Sequence, residues 1–156
     1  MDRKKIACFG ILLCALAGLS AGCSSGNQDI RNITAEESDS LYIANRGNPD
    51  FVVVDVRTPE EWSRARIEGS INIDQMADTF PDEIDKLDKT RLYLIYCTDA
   101  KRSVEALALM KQKGFKTVYE IEGGVIAWAL AGYPVERVNT VPVQPDSVLT
   151  PAQIGP

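Results

Sequence analysis

An α/β fold, with a mostly parallel central sheet flanked by helices on both faces, is predicted by three observations. Phe51 to Val56 and Leu92 to Tyr96 are short runs of β-branched and aromatic residues with Asp55 as the one charge. Continuous apolar runs of that length suit strands covered on both sides, as in a parallel sheet. Strand-like and helix-like stretches alternate along the chain, the pattern of strand–helix–strand units. Glycine and proline mark the joins at Asn48-Pro49-Asp50, Gly114, Gly132 and Pro134.

The elements follow in order. Thr34-Ala35-Glu36-Glu37 is a capping box opening a helix to about Arg46, and the strand from Phe51 follows the turn at Pro49. Pro59-Glu60-Glu61-Trp62 opens a short helix with proline in its first turn. Ile71-Asn72-Ile73 is a short strand, and Pro81 to Asp88 makes one or two helical turns with Ile84 and Leu87 inward. After the strand Leu92–Tyr96, a helix runs from Ser103 to Lys113 and stops at Gly114. Thr117 to Glu120 is another strand and Gly123 to Ala131 another helix. These elements form one domain over residues 30–137, a size that buries a core without disulfides. Residues 138–156 hold four prolines and little apolar patterning, so a disordered tail is expected there.

The amino-terminal end has another logic. Arg3, Lys4 and Lys5 precede an uncharged apolar run from Ile6 to Leu19, shorter than the about 20 residues of a membrane span. That is the pattern of a secretory signal over residues 1–22. Leu19-Ser20-Ala21-Gly22-Cys23 resembles the lipobox of bacterial lipoproteins, which implies lipidation of Cys23 and a lipid-anchored tether over residues 23–29. Ordinary signal cleavage and an uncleaved anchor are the alternatives. With Ser24 after Cys23, the expected location is the outer membrane facing the periplasm, a Gram-positive surface being the alternative.

Composition excludes several functions. Beyond residue 22 the chain has 14 basic and 21 acidic residues, a formal charge of −7, which disfavours nucleic acid as a partner. Histidine is absent, so histidine-dependent triads are excluded, and no metal site or cofactor is expected. On that resemblance Cys8 and Cys14 would leave with the signal and Cys23 would be acylated, so Cys97 is expected to remain as a lone thiol in an exported protein.

In open α/β sheets ligands bind outside the carboxyl ends of the strands, where Asp55 and Cys97 stand. Cys97-Thr98-Asp99-Ala100-Lys101-Arg102-Ser103 joins a strand to a helix, whose amino-terminal N–H groups stabilise anions, a thiolate among them. Lys101 and Arg102 add two cations.

This loop resembles the active-site loop of the rhodanese family of sulfurtransferases. Three more segments match in the family's order: Asp55-Val56-Arg57-Thr58-Pro59-Glu60-Glu61-Trp62, Arg66 to Ile73, and Gly123-Gly124-Val125-Ile126-Ala127-Trp128 with Ala131 to Val135. The resemblance implies a single rhodanese-like domain and a persulfide cycle. Cys97 attacks a thiosulfate-like or persulfide donor, small anion or protein, and passes the sulfur to a thiol or cyanide-type acceptor. It further implies that Arg102 binds the donor with Lys101 assisting, that Thr98, Asp99 and Ala100 cradle the sulfur, and that Ser103 caps the next helix or donates to the sulfur. Asp55 and Arg57 shape the pocket wall. Cysteine-based phosphatases and arsenate reductases place five residues between cysteine and arginine, whereas four intervene here, which disfavours those activities. Ala65-Arg66-Ile67 stands where the family commonly carries Gly-His-Ile, and Asp99 is expected to offset Lys101. A rhodanese fold kept as an envelope binding module is the alternative. Trp62 and Trp128 are expected to pack rather than to bind.

Overall fold

The computed structural model describes residues 28–137. Five strands form one parallel sheet: β1 (Asp29–Ile33), β2 (Phe51–Asp55), β4 (Ile71–Asn72), β5 (Leu92–Tyr96) and β6 (Thr117–Ile121), in the order β1-β6-β5-β2-β4. A separate antiparallel pair joins β3 (Ala65–Arg66) to β7 (Glu136–Arg137). The helices are α1 (Ala35–Ala44), α2 (Pro59–Arg64), α3 (Phe80–Asp85), α4 (Lys101–Gln112) and α5 (Gly124–Leu130).

Side chains of a strand alternate between faces, and the two resulting layers are clean. Val54, Tyr93, Ile95 and Val118 pack with Phe80, Ile84 and Met110 from α3 and α4. Val53, Leu94, Tyr96 and Ile121 pack with Tyr42 and Trp128 from α1 and α5. Both sheet faces are therefore covered, as the apolar runs of β2 and β5 predict. Cys97, one residue past β5, belongs to the α3–α4 layer.

Local sequence explains the helix starts. Thr34 Oγ1 accepts from the Glu37 backbone at 3.2 Å while the Thr34 backbone donates to Glu37 Oε2 at 2.9 Å, completing the expected capping box. Thr58 and Glu61 form a second box, with Pro59 at the first helical position. Trp128 is fully buried, sets an edge against Tyr42 at 5.9 Å and donates from Nε1 to Pro134 O at 3.0 Å.

Three elements differ from expectation. Asp29, assigned to the tether, starts β1, which pairs in parallel with β6 along its whole length. As an edge strand with Arg31 and Asn32 exposed, it lacks the apolar signal that marks β2 and β5. The strand from Ile71 stops at Asn72, whose Nδ2 is engaged by Asp55 O and Arg57 O. Helix α4 begins two residues before Ser103, so Lys101 and Arg102 lie on its first turn instead of in the loop. Residues 1–22, Cys23 and the tail from 138 lie outside the described residues.

Candidate active site

Cys97 follows the carboxyl end of β5 and is fully buried. The turn from β5 into α4 is made at Ala100, whose φ of 74° is the one left-handed value at a non-glycine residue among the described residues. A Cβ in that region is strained, so the surroundings must hold it. Val104 N donates to Ala100 O at 3.0 Å, and the start of α5 grips the loop from the other side. Val125 N donates to Cys97 O at 2.8 Å and Ile126 N to Thr98 O at 3.2 Å.

This grip explains the paired glycines. Gly124 has a φ of 61°, and a Cβ on it would lie 2.5 Å from Cys97 O and 2.7 Å from the Thr98 carbonyl. Strain and overlap act together, so Gly124→Ala is expected to destabilise the fold by about 2–4 kcal/mol in urea denaturation. A loss below about 1 kcal/mol would mean that the loop yields easily.

The charges beside the loop are matched in pairs. Arg102 Nη1 and Nη2 each donate to a different Glu61 oxygen at 2.9 Å, and Nη2 also reaches Thr98 Oγ1 at 3.0 Å. Thr98 Oγ1 donates to Glu61 Oε1 at 2.9 Å. The Arg102 guanidinium holds the Glu61 carboxyl down at about 2, assisted by hydrogen bonds from Thr58 and Thr98 and against the effect of burial. Lys101 Nζ pairs with Asp99 Oδ2 at 2.9 Å, the offset expected of Asp99. The two cations expected to receive the donor are thus each engaged by a carboxylate. Glu61 was legible only as part of the short helix α2; its fork with Arg102 was not, because 41 residues separate the two.

Beneath the loop, Ser103 does not cap α4; Ala100 holds the capping position and no side chain bonds there. Ser103 Oγ lies 3.4 Å from Cys97 Sγ, 3.2 Å from Ala100 O and 2.6 Å from Glu120 Oε1. Glu120 is fully buried, and its Oε2 has no hydrogen-bond partner. Burial pushes its carboxyl up to about 7, with the Ser103 hydrogen bond pulling the other way. Sequence reasoning passed over Glu120 as a strand end, although a glutamate between Tyr119 and Ile121 is the signal that could have found it. Among the described residues no group of three His, Cys, Asp or Glu side chains could hold a metal ion, and no helix is long and apolar enough to cross a membrane.

The sequence profile of the rhodanese-like domain matches residues 38–131. The chain belongs to that family. A sulfurtransferase of Allochromatium vinosum is 32% identical over 99 residues, covering 64% of this chain and 91% of that protein. The probable adenylyltransferase/sulfurtransferase MoeZ of Mycobacterium tuberculosis is 36% identical over 79 residues, 51% of this chain but 20% of its own length. The crystal structure of a rhodanese-related protein from Thermoplasma volcanium superposes with a TM-score of 0.57 at 29% identity, covering 68% of this chain and 97% of that one. Together these matches support a sulfurtransferase-type function for this rhodanese-like domain.

One departure from the family pattern and one pair that keeps to it have structural partners here. Arg66, in place of the common histidine, stacks its guanidinium 4.3 Å from the Trp62 ring and forms a fork with Glu136 at 3.0 and 3.1 Å, tying β3 to β7. Asp55 and Arg57 are buried and locked to each other: Arg57 Nε and Nη2 reach the carboxylate at 3.0 and 2.6 Å, and Nη2 also donates to Ala65 O at 2.6 Å. The Arg57 guanidinium lies 5.6 Å from the Tyr96 ring. Neither residue hydrogen-bonds to Cys97 among the described contacts; in this rhodanese-like domain the pair braces the segment after α2.

Proposed function

We propose that this protein moves a sulfane sulfur from a thiosulfate-like or persulfide donor to a thiol or cyanide-type acceptor through a persulfide on Cys97. The observation that carries the reading is the loop itself: a cysteine at the carboxyl end of the central strand β5, turned by Ala100 onto the first turn of α4, with Arg102 five residues after the cysteine. Amides and dipole at the head of α4 favour the anion that such a cysteine must become. In the cycle the Cys97 thiolate attacks the outer sulfur of the donor, the donor's S–S bond breaks, and sulfite or a thiolate leaves with the electron pair. The acceptor then attacks the terminal sulfur of the persulfide, and Cys97 leaves as thiolate. Arg102, with Lys101 beside it, receives the donor anion by exchanging part of its fork to Glu61. Thr98, Asp99 and Ala100 form the sulfur's surroundings.

Incubation with thiosulfate, or with a low-molecular-weight persulfide, is expected to add one sulfur to the intact mass, mapping to the Cys97 peptide and lost on treatment with a thiol. No adduct with either donor would sink the reading. The buried Cys97 and the two paired cations favour a second one, a rhodanese fold retained as a binding module, under which no sulfur would load.

The proposal extends to location: residues 1–22 as an export signal, and lipidated Cys23 tethering the domain to a bacterial envelope membrane. The same mass spectrum, taken on protein from its own envelope, reports acyl chains on Cys23 or their absence.

A further inference from the structure

Histidine is absent from this chain, and Cys97 is enclosed, so its proton needs an acceptor inside the protein. One is in line. Ser103 has a single hydroxyl hydrogen and three acceptors in reach, of which Glu120 Oε1 at 2.6 Å is the nearest. With that hydrogen directed to Glu120, the Ser103 oxygen turns its lone pairs toward Cys97 Sγ, 3.4 Å away. Glu120 Oε2 is the one buried side-chain oxygen or nitrogen without a partner among the described residues. A carboxylate buried that way is costly unless it has a task that a packed apolar side chain could not perform.

We propose that Glu120, acting through Ser103, takes the proton of Cys97 when the thiol becomes a nucleophile, and so serves as the positioning residue that stands in for histidine at this site. The Cys97 S–H bond breaks as an O–H bond forms on Ser103, while the original Ser103 proton joins Glu120 Oε1. No electron is gained or lost, and the pair holds one negative charge before and after. That constancy is the physical advantage. Expelling the proton to water would leave two buried anions, each disfavoured by desolvation and by the other, whereas the internal transfer only relocates the charge already present. When the persulfide gives up its sulfur, the departing Cys97 thiolate recovers the proton by the same route.

The groups around Glu120 leave the relay isolated. Glu122, in the turn just past the end of β6, is the charged neighbour whose field reaches it. From β5 it faces Ile95 and the Cys97 end of the strand, from β1 Asn32, and from α4 Ser103. Lys101 and Arg102 are turned to Asp99 and Glu61, and α5 brings only its glycine-rich start to the loop. With the carboxyl at about 7, the relay gains its proton acceptor as pH rises through neutrality.

The inference rests on Cys97 being the working nucleophile and is independent of its donor, so its test uses alkylation of Cys97 in the full chain by iodoacetamide across pH. In the wild type the rate is expected to bend near about 7. Glu120→Gln keeps the shape and the Ser103 contact but cannot take a proton; it is expected to lose the bend and to react about tenfold more slowly or worse above neutrality. Ser103→Ala is expected to do the same, and the double variant to be no slower than either single one. Circular dichroism confirms that each variant is folded, and Ser103→Ala serves alone if Glu120→Gln is not. A purely structural Glu120 predicts the opposite sign, because removing a negative neighbour favours the thiolate. A rate in Glu120→Gln equal to or above the wild type, or no bend in the wild type, overturns the proposal. A bend without sulfur loading would fail the transfer reading alone, and loading without a bend would fail this one alone.

Discussion

Cys97→Ser is expected to lower thiocyanate formation from thiosulfate and cyanide by about four orders of magnitude or more, because the serine oxygen cannot hold a sulfane sulfur and no second route remains. Among the described residues Cys97 is the free cysteine, so no other thiol there can take over the persulfide. The fold is expected to survive. Serine is slightly smaller, and its hydroxyl enters a neighbourhood with Ser103 Oγ within reach, so the buried polar group finds a partner. Melting temperature and near-ultraviolet circular dichroism check that point. Turnover in Cys97→Ser above a tenth of the wild-type rate would place the chemistry elsewhere. Wild-type turnover already at the level of the variant would leave the binding-module reading in possession.

Asp55→Ala is expected to remove about 3–5 kcal/mol of stability, the cost of leaving one member of a buried ion pair behind. Asp55 is fully buried, and its carboxylate accepts three bonds from the Arg57 side chain and a fourth from the Arg57 backbone at 2.9 Å. Burial alone would depress the charged state of Arg57; hydrogen bonding and charge from Asp55 reverse that and raise its pKa above the usual value. Without Asp55 the guanidinium keeps only Ala65 O and the Tyr96 face. For a domain whose whole stability is on the order of 5–15 kcal/mol this is a large share. Urea denaturation measures it, and a midpoint shift worth less than about 1 kcal/mol would show that water reaches Arg57 and compensates. Asp55→Asn, which still accepts one arm of the fork, is expected to fall between.

How far the sequence carried differs between elements for physical reasons. Strands β2 and β5 were legible because both faces are buried and the composition says so. Strand β1 was not, since an edge strand with exposed Arg31 and Asn32 has its partner, Thr117–Ile121, more than eighty residues away, and a pairing of that kind leaves no local trace. The loop from Cys97 to Ser103 was found from its place between strand and helix. The side chains that finish the site were missed, because Glu61 read only as a residue of the short helix α2 and Glu120 looked like a terminus. Ser103 was assigned a cap or a sulfur contact; Ala100 takes the capping position, since its left-handed backbone already turns the chain into α4.

Ala100 has one more consequence. Glycine would adopt its backbone angle freely; alanine holds it at a cost of roughly 1–2 kcal/mol, met by the bonds that clasp the loop from α4 and α5. Any opening of the loop over Cys97 would therefore start from a backbone already under strain, and would cost that much less than with glycine at position 100.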